Sequence, residues 1–321
     1  MSYALVGDIG GTNARFALWR GQRLDAVRVL RTADYAGPED AVRAYLQAIG
    51  QDVSELDVVC LACAGPVSGD EFVFTNNRWR LGRQAFRESL GLDELLLIND
   101  FSAMALGITR VPEGELLTVC EGAADPERVR LVIGPGTGLG VAGLLSREEG
   151  GWRVLPSEGG HACLPVGNPR EAALWAQFNE HYAHVSAEAV LSGNGLLALY
   201  RASCRLDGVA PQLHEPAEIT AAALTGDSQA VQVLEQFCCW LGRVAGDAVL
   251  TLGARGGVYL AGGMLPRFVD FFLRSGFLQS FRDKGRMSRY FDGIPVWLVT
   301  AEYPGLLGAG VALQQARPGT R

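Results

Sequence analysis

Two short stretches carry the residue types that grip a phosphate. In Gly7-Asp8-Ile9-Gly10-Gly11-Thr12, the glycines let backbone N–H groups approach phosphate oxygens with no Cβ in the way. They also permit the φ > 0 angles such a turn needs. Thr12 can donate to the same oxygens, and Asp8 suits Mg²⁺, which prefers carboxylate and water oxygens and is commonly shared with nucleotide phosphates. About 125 residues further on, Gly134-Pro135-Gly136-Thr137-Gly138-Leu139-Gly140 repeats the design, with glycines bracketing a threonine. Pro135 stands where the first copy has Asp8, so one half alone would supply a metal carboxylate. A glycine hairpin with a solvated Asp would explain the first turn alone; two copies suggest similar halves facing one nucleotide.

Further polar residues fall where ligands gather. Asn99 and Asp100 directly follow the apolar run Leu95-Leu96-Leu97-Ile98, and in open α/β sheets ligands lie outside the carboxyl ends of strands. Asp100 could equally cap the helix that follows. In Ser157-Glu158-Gly159-Gly160-His161, two glycines between a carboxylate and an imidazole turn both side chains toward one spot. His181, His184 and His214 read as packing or surface residues. Ser186 reads as the N-cap of a short helix with Glu188 in its first turn, where the macrodipole favours an ionised carboxylate. Glu188 is then a helix-start residue or an acceptor for a sugar hydroxyl. Gly262-Gly263 closes a strand, Gly257–Met264, before a helix.

The elements that must position these residues follow from periodicity. Apolar strands flank the first turn, and 26–31 completes an antiparallel meander. Pro38 opens an amphipathic helix with Val42, Tyr45, Leu46 and Ile49 on one face. A buried strand over 57–64 leads into a loop, 64–69, then a short strand at 72–74, a helix within 81–90, and a helix over 101–107. The Gly-, Pro- and acid-containing stretch 112–126 could hold a domain boundary. Asn168-Pro169-Arg170-Glu171 is a helix start, with Asn as N-cap, Pro at the first position and Glu three after the cap; Leu174, Trp175, Phe178 and Tyr182 form its buried stripe. Another helix starts at Ser192. The longest periodic segment runs from Val231 to Leu252, and Gly242 and Gly246 would let a second helix approach it closely. A strand at 295–299 and a helix from about Gly305 to Ala316 follow.

Composition narrows the function classes. The 321 residues suffice for one large or two ordinary domains, and a net charge of −7 argues against a nucleic-acid surface. Lys284 is the only lysine, and it precedes Gly285, so a Walker A loop is excluded and phosphate binding must rest on amides, hydroxyls and metal. Seven cysteines without regular spacing suggest a reducing compartment, and Cys60-Leu61-Ala62-Cys63 reads as buried strand rather than a redox motif. The start, Tyr3-Ala4-Leu5-Val6 running into Asp8, is too short and acidic for a signal peptide, and no apolar run approaches a membrane span. The expectation is a cytoplasmic protein.

The two turns together resemble the phosphate loops of the sugar kinase, actin and heat-shock chaperone ATPase superfamily. Nearly the whole chain is similar to the proteobacterial, non-ROK glucokinase family. The matching segments are Gly7-Asp8-Ile9-Gly10-Gly11-Thr12, Ile98-Asn99-Asp100-Phe101, Gly136-Thr137-Gly138-Leu139-Gly140, Glu158-Gly159-Gly160-His161, Val185-Ser186-Ala187-Glu188, Leu191-Ser192-Gly193 and Ala261-Gly262-Gly263.

The resemblance implies an α/β, two-domain actin-like ATPase (ribonuclease H-like) fold with the active site in the interdomain cleft. Its small domain would take 1–110 plus 302–321 and its large domain 111–301. It implies a homodimer that phosphorylates glucose at O6 with ATP and Mg²⁺. Asn99, Asp100, Glu158, His161 and Glu188 would surround the sugar, with Asp100 as general base. Gly7, Asp8, Ile9, Gly10, Gly11, Thr12, Gly136, Thr137 and Gly138 would hold the phosphates, Asp8 the metal, and Gly262 and Gly263 would lie flat against the adenosine. His161 is followed by Ala162-Cys163-Leu164-Pro165 where ROK kinases carry a CxCGxxGC zinc motif, so no structural zinc is expected. A kinase for another hexose or amino sugar, or a sugar-sensing protein without turnover, stays open from sequence.

Overall fold

The computed structural model describes residues 3–65, 67, 69–74 and 77–317; Pro66 and Ser68 of the loop at 64–69 lie outside them. The chain divides into two compact units, Met1–Glu113 with Ala301–Arg321, and Gly114–Thr300.

In the first unit, β1 (Tyr3–Ile9), β2 (Asn13–Arg20) and β3 (Arg23–Arg31) form an antiparallel meander. α1 (Pro38–Ala48) begins on a proline, whose missing N–H falls where a helix has no use for one, and buries Val42, Tyr45 and Leu46. β4 (Leu56–Cys63) pairs parallel with β1. A small hairpin of β5 (Glu71–Val73) and β6 (Arg80–Gly82) leads through α2 (Arg83–Leu90) to β7 (Glu94–Asn99), which pairs parallel with β4 and runs directly into α3 (Asp100–Gly107). The sheet order is β3-β2-β1-β4-β7. Leu5, Phe16, Tyr45, Val59, Leu61 and Phe86 are buried in its core. Cys60 and Cys63 are fully buried in β4, and burial pushes both thiols well above the ordinary range, which removes the CxxC from redox chemistry.

The second unit comprises β8 (Leu116–Cys120), β9 (Arg130–Pro135), β10 (Leu139–Ser146) and β11 (Trp152–Ser157), then α4 (Pro169–Asn179), α5 (Gly193–Asp207), α6 (Pro216–Leu224) and the long α7 (Ser228–Leu252). β12 (Val258–Leu260), α8 (Val269–Arg274), α9 (Phe277–Arg282) and β13 (Val296–Val299) complete it. The sheet order is β11-β10-β9-β12-β13-β8. Its first five strands repeat the order and directions of the first sheet, two antiparallel pairings followed by two parallel ones, and β8 is an added antiparallel edge. The glycine turns β1–β2 and β9–β10 therefore occupy equivalent places in the two sheets.

Glycines admit close backbone approach at two points that matter below. On α7, a Cβ at Gly242 or Gly246 would strike the carbonyls of Phe277 and Phe281 on α9, as their spacing suggests. The last helix, α10 (Pro304–Ala316), belongs to the first unit and crosses α3 where a Cβ on Gly308 would collide with the Ala103 carbonyl and one on Gly107 with that of Pro304.

A buried ionic cluster ties α4 to α7. The fully buried Glu171 accepts from Gly167 N–H at 2.7 Å, Gln236 Nε2 at 3.2 Å and Arg243 Nε at 3.1 Å, and Arg243 also pairs with Asp283 at 2.9 Å. The one lysine, Lys284, donates to Arg243 O and pairs with Asp247 at 2.8 Å. It is a structural strut.

Three expectations need correction. Ser186 does not open a helix; residues 186–191 form turns, and Ser186 bridges to Cys163. Tyr182 lies beyond α4 and is 43% exposed, stacked on Phe178 instead of buried with it. None of Gly10, Gly11, Gly136 or Gly138 takes a positive φ, whereas Gly262 does, at 99°.

Candidate active site

The first unit gathers two carboxylates at the carboxyl ends of two parallel strands, β1 and β7, that flank β4. Ile9, Cys63 and Asn99 stand in one row of β1, β4 and β7, which places Asp8 just before that row and Asp100 just after it. Asp8 is directly opposite Arg15 across the hairpin, and Arg15 Nη1 donates to it at 3.3 Å. Burial raises the Asp8 pKa, with Arg15 pulling against the rise. A Cβ on Gly305, at the start of α10, would sit 3.2 Å from Asp8 Oδ2, so glycine there leaves room for the carboxylate.

Asn99 and Asp100 are fixed by their own backbone. Asn99, not Asp100, is the N-cap of α3: its Oδ1 accepts from Ser102 N–H at 2.9 Å. Its Nδ2 donates to Gly65 O at 3.3 Å and to Asp100 Oδ1 at 3.1 Å. Phe101 N–H donates to that same Oδ1 at 2.8 Å. Asp100 Oδ1 is thus fixed by two donors, which sets the carboxylate's orientation at the helix N-terminus.

The turn after β1 is braced from outside. Gly10 N–H donates to Asn13 O at 2.9 Å, Thr32 Oγ1 to Gly11 O at 2.8 Å and Asn77 Nδ2 to Gly10 O at 3.0 Å. The corresponding turn of the second unit closes more tightly, Gly136 N–H donating to Gly138 O, two residues on, at 2.8 Å. Gly10 and Gly136 therefore use their amides inside the turns, and the amides of Gly11, Thr12, Thr137 and Gly138 are better placed to meet an anion. A Cβ on Gly136 would approach no heavy atom closer than 4.0 Å, and one on Gly263 would find nothing within 4 Å. These glycines face open space, consistent with a ligand lying against them. Gly262 is different: its Cβ would press on Pro135 O at 2.7 Å, so there the backbone conformation and strand contact both require glycine.

The second unit also sets His161 beside Glu188 from a separate turn, with Glu158 at the start of the turn that carries His161. Ala187 N–H donates to Ala162 O and Glu188 N–H to Gly160 O, both at 2.8 Å, and Leu164 N–H donates to Val185 O at 2.9 Å. This pairing sets His161 Nε2 3.9 Å from Glu188 Oε1. Glu158, just before the short 3₁₀ turn Gly159–His161, and His161, at its end, are exposed, while Glu188 is half-buried. Glu188 Oε2 accepts from Leu139 N–H at 2.8 Å.

Sequence reading missed several supports. His184, read as a surface residue, places Nε2 2.8 Å from His161 O. Thr32 and Asn77 brace the first turn from 21 and 67 residues away, and nothing local marks them. Arg15 was legible in principle, since counting back across the hairpin pairs it with Asp8.

Metal-binding capacity at Asp8 is limited to one side chain. Among the described residues no three His, Cys, Asp or Glu side chains cluster as ligands. A cation there would take one carboxylate and complete its shell with water and phosphate oxygens, the arrangement Mg²⁺ favours. The residues present fit that ion.

A family model described as Glucokinase matches residues 5–316. A glucokinase of Pseudomonas aeruginosa (strain LESB58) is 60% identical over 313 residues, 97% of this chain and 95% of that protein. The crystal structure of a glucokinase from an Antarctic psychrotroph superposes with a TM-score of 0.87 at 35% identity, covering 98% of this chain and 99% of that one. A glucokinase from Balamuthia mandrillaris, in complex with glucose, shares the fold at a TM-score of 0.81 and 23% identity, covering 98% of this chain and 94% of that one. No helix among the described residues is long and apolar enough to cross a membrane.

Proposed function

The chain belongs to the glucokinase family, and on that footing we propose that it transfers the γ-phosphoryl group of ATP to O6 of D-glucose with Asp100 as general base. The observation that carries the assignment of roles is the placement of Asp8 and Asp100 at the same, carboxyl end of two parallel strands on either side of β4, beside a braced glycine turn.

Each residue's part follows from its chemistry. A hexose presents adjacent hydroxyls that both donate and accept, and Asn99, Glu158, His161 and Glu188 offer the amide, carboxylates and imidazole that satisfy them. Asp100, oriented through Oδ1 by Phe101 N–H and Asn99 Nδ2, accepts the proton leaving the sugar hydroxyl. The amides of Gly11, Thr12, Thr137 and Gly138 and the threonine hydroxyls hold phosphate oxygens, while Gly263 leaves an open surface for the adenosine and Gly262, with its positive φ, shapes the turn that presents it. Asp8 would hold Mg²⁺, which when bound neutralises phosphate charge during transfer. We further propose a homodimer working in the cytoplasm.

The assignment is tested by glucose-dependent ADP release from the purified protein. The highest kcat/KM is expected for glucose over mannose, fructose and N-acetylglucosamine. A different preferred sugar would overturn the substrate, and absence of ADP release with any of them would overturn the kinase reading.

The raised pKa of Asp8 gives a signed pH dependence. Its carboxylate must be ionised to hold the metal, so affinity is lost as pH falls through a value above the ordinary Asp range. Stability of the ligand-free protein moves oppositely, because a raised carboxyl pKa favours the folded state below it and that contribution is lost as pH rises. KM for MgATP should therefore climb on acidification before KM for glucose does, and Asp8→Asn should raise KM for MgATP at every pH and flatten the profile. An unchanged profile in that variant would remove Asp8 from metal binding.

A further inference from the structure

The second glycine turn touches the sugar-binding carboxylate directly. The Cβ that any other residue would place at Gly138 falls within contact distance of Glu188 Oε2, and lies 3.1 Å from its Cδ and 3.7 Å from Oε1. The next amide along the chain, Leu139 N–H, donates to Oε2 at 2.8 Å. The carboxylate lies in the notch left by the absent side chain and is anchored by the backbone just beyond it. Gly138 has no positive φ, so conformation does not demand glycine there. Gly136, two residues earlier in the same turn, faces open space. The two glycines of one turn thus look in different directions.

From this we propose that Gly138 and the Leu139 amide are positioning elements for the sugar: they set Glu188, so that one turn governs nucleotide through its backbone amides and hexose through a missing side chain. The proposal rests on the reading that Glu188 accepts from glucose. With Oε2 occupied by Leu139 N–H, Oε1 is the oxygen turned toward His161, 3.9 Å away, and the one presented to a sugar hydroxyl. Displacing the carboxylate removes a charge-assisted acceptor from the hexose while leaving the turn's own amides in place.

Substitution separates the two functions of the turn. Gly138→Ala should raise KM for glucose by ~10-fold or more, the loss of one hydrogen bond to a charged group, and by a larger factor than it raises KM for MgATP, because the Gly138 amide itself remains. The atom in the way is the end of a flexible, half-buried side chain, so the variant should fold and keep its Tm. Gly136→Ala should do the reverse, raising KM for MgATP alone. Shortening the carboxylate gives a rescue test: in a Glu188→Asp background the methyl group has room, and adding Gly138→Ala should cost little further glucose affinity. Should Gly138→Ala raise KM for MgATP while glucose affinity holds, or should its effect be undiminished by Glu188→Asp, the positioning role is wrong. Should Glu188→Gln itself leave KM for glucose unchanged, the failure belongs to the underlying assignment of Glu188.

Discussion

Replacing Asp100 with Asn should lower kcat by at least ~100-fold, equivalent to ~2.7 kcal/mol of transition-state stabilisation, with glucose affinity nearly retained. The substitution is nearly isosteric, and an amide oxygen can still accept from Phe101 N–H, so α3 keeps its start and Asn99 its capping bond to Ser102. What disappears is the capacity to take a proton. Phosphoryl transfer otherwise depends on positioning and charge neutralisation, so the residual rate measures what the remaining site achieves without a base. Steady-state kinetics together with calorimetric glucose binding separates the two quantities. A variant turning over at near the parental rate would take Asp100 out of the base role, and one that lost glucose binding in proportion to rate would make it a binding residue only.

The largest effect on stability is expected at Glu171. Glu171→Ala leaves the Arg243 side chain, only 12% exposed, with Asp283 as its single carboxylate, and it strips Gly167 N–H and Gln236 of their shared acceptor. Removing one member of a buried pair typically costs about 3–5 kcal/mol, because the partner's charge stays buried. Calorimetry should show Tm falling by roughly 10 °C. Glu171→Gln, which keeps an acceptor for Gly167 while losing the charge, should fall between parent and Glu171→Ala. A Tm within about 2 °C of the parent for Glu171→Ala would mean that the cluster contributes nothing net.

What could be read in advance, and what could not, divides along the range of the interactions. The β1 and β9 turns were legible because apolar strand, glycine pair and hydroxyl are adjacent in sequence. The α4 start was legible for the same reason, since Asn168, Pro169 and Glu171 act within one turn of helix. That Glu171 would also meet Arg243, 72 positions later, had no local signature. Ser186 shows how a local signal misleads. Its Oγ does accept from Ala189 N–H at 3.2 Å, as an N-cap would, but the same bond closes a simple turn. The pairing of 185–188 with 160–164 decides between them, and that pairing is a tertiary event. β8 does carry an apolar run, Leu116-Leu117-Thr118-Val119-Cys120, but the Gly, Pro and acidic residues around it read as a boundary, and its edge position leaves it half-exposed. Within the candidate site, the chemical groups were legible but their supports were not: Thr32, Asn77 and His184 reach it from other parts of the chain.

The crossing of α10 on α3 bears on how the molecule is made. The residues of the second unit, Gly114–Thr300, are continuous, whereas the first unit needs Pro304–Ala316 to cover Ala103 and Gly107. A ribosome adding ~5–20 residues per second emits the earlier part of that unit ~10–40 s before its final helix emerges. Through that interval the nascent N-terminal unit lacks the helix that covers Ala103 and Gly107, so its packing is completed only after the whole second unit has been synthesised.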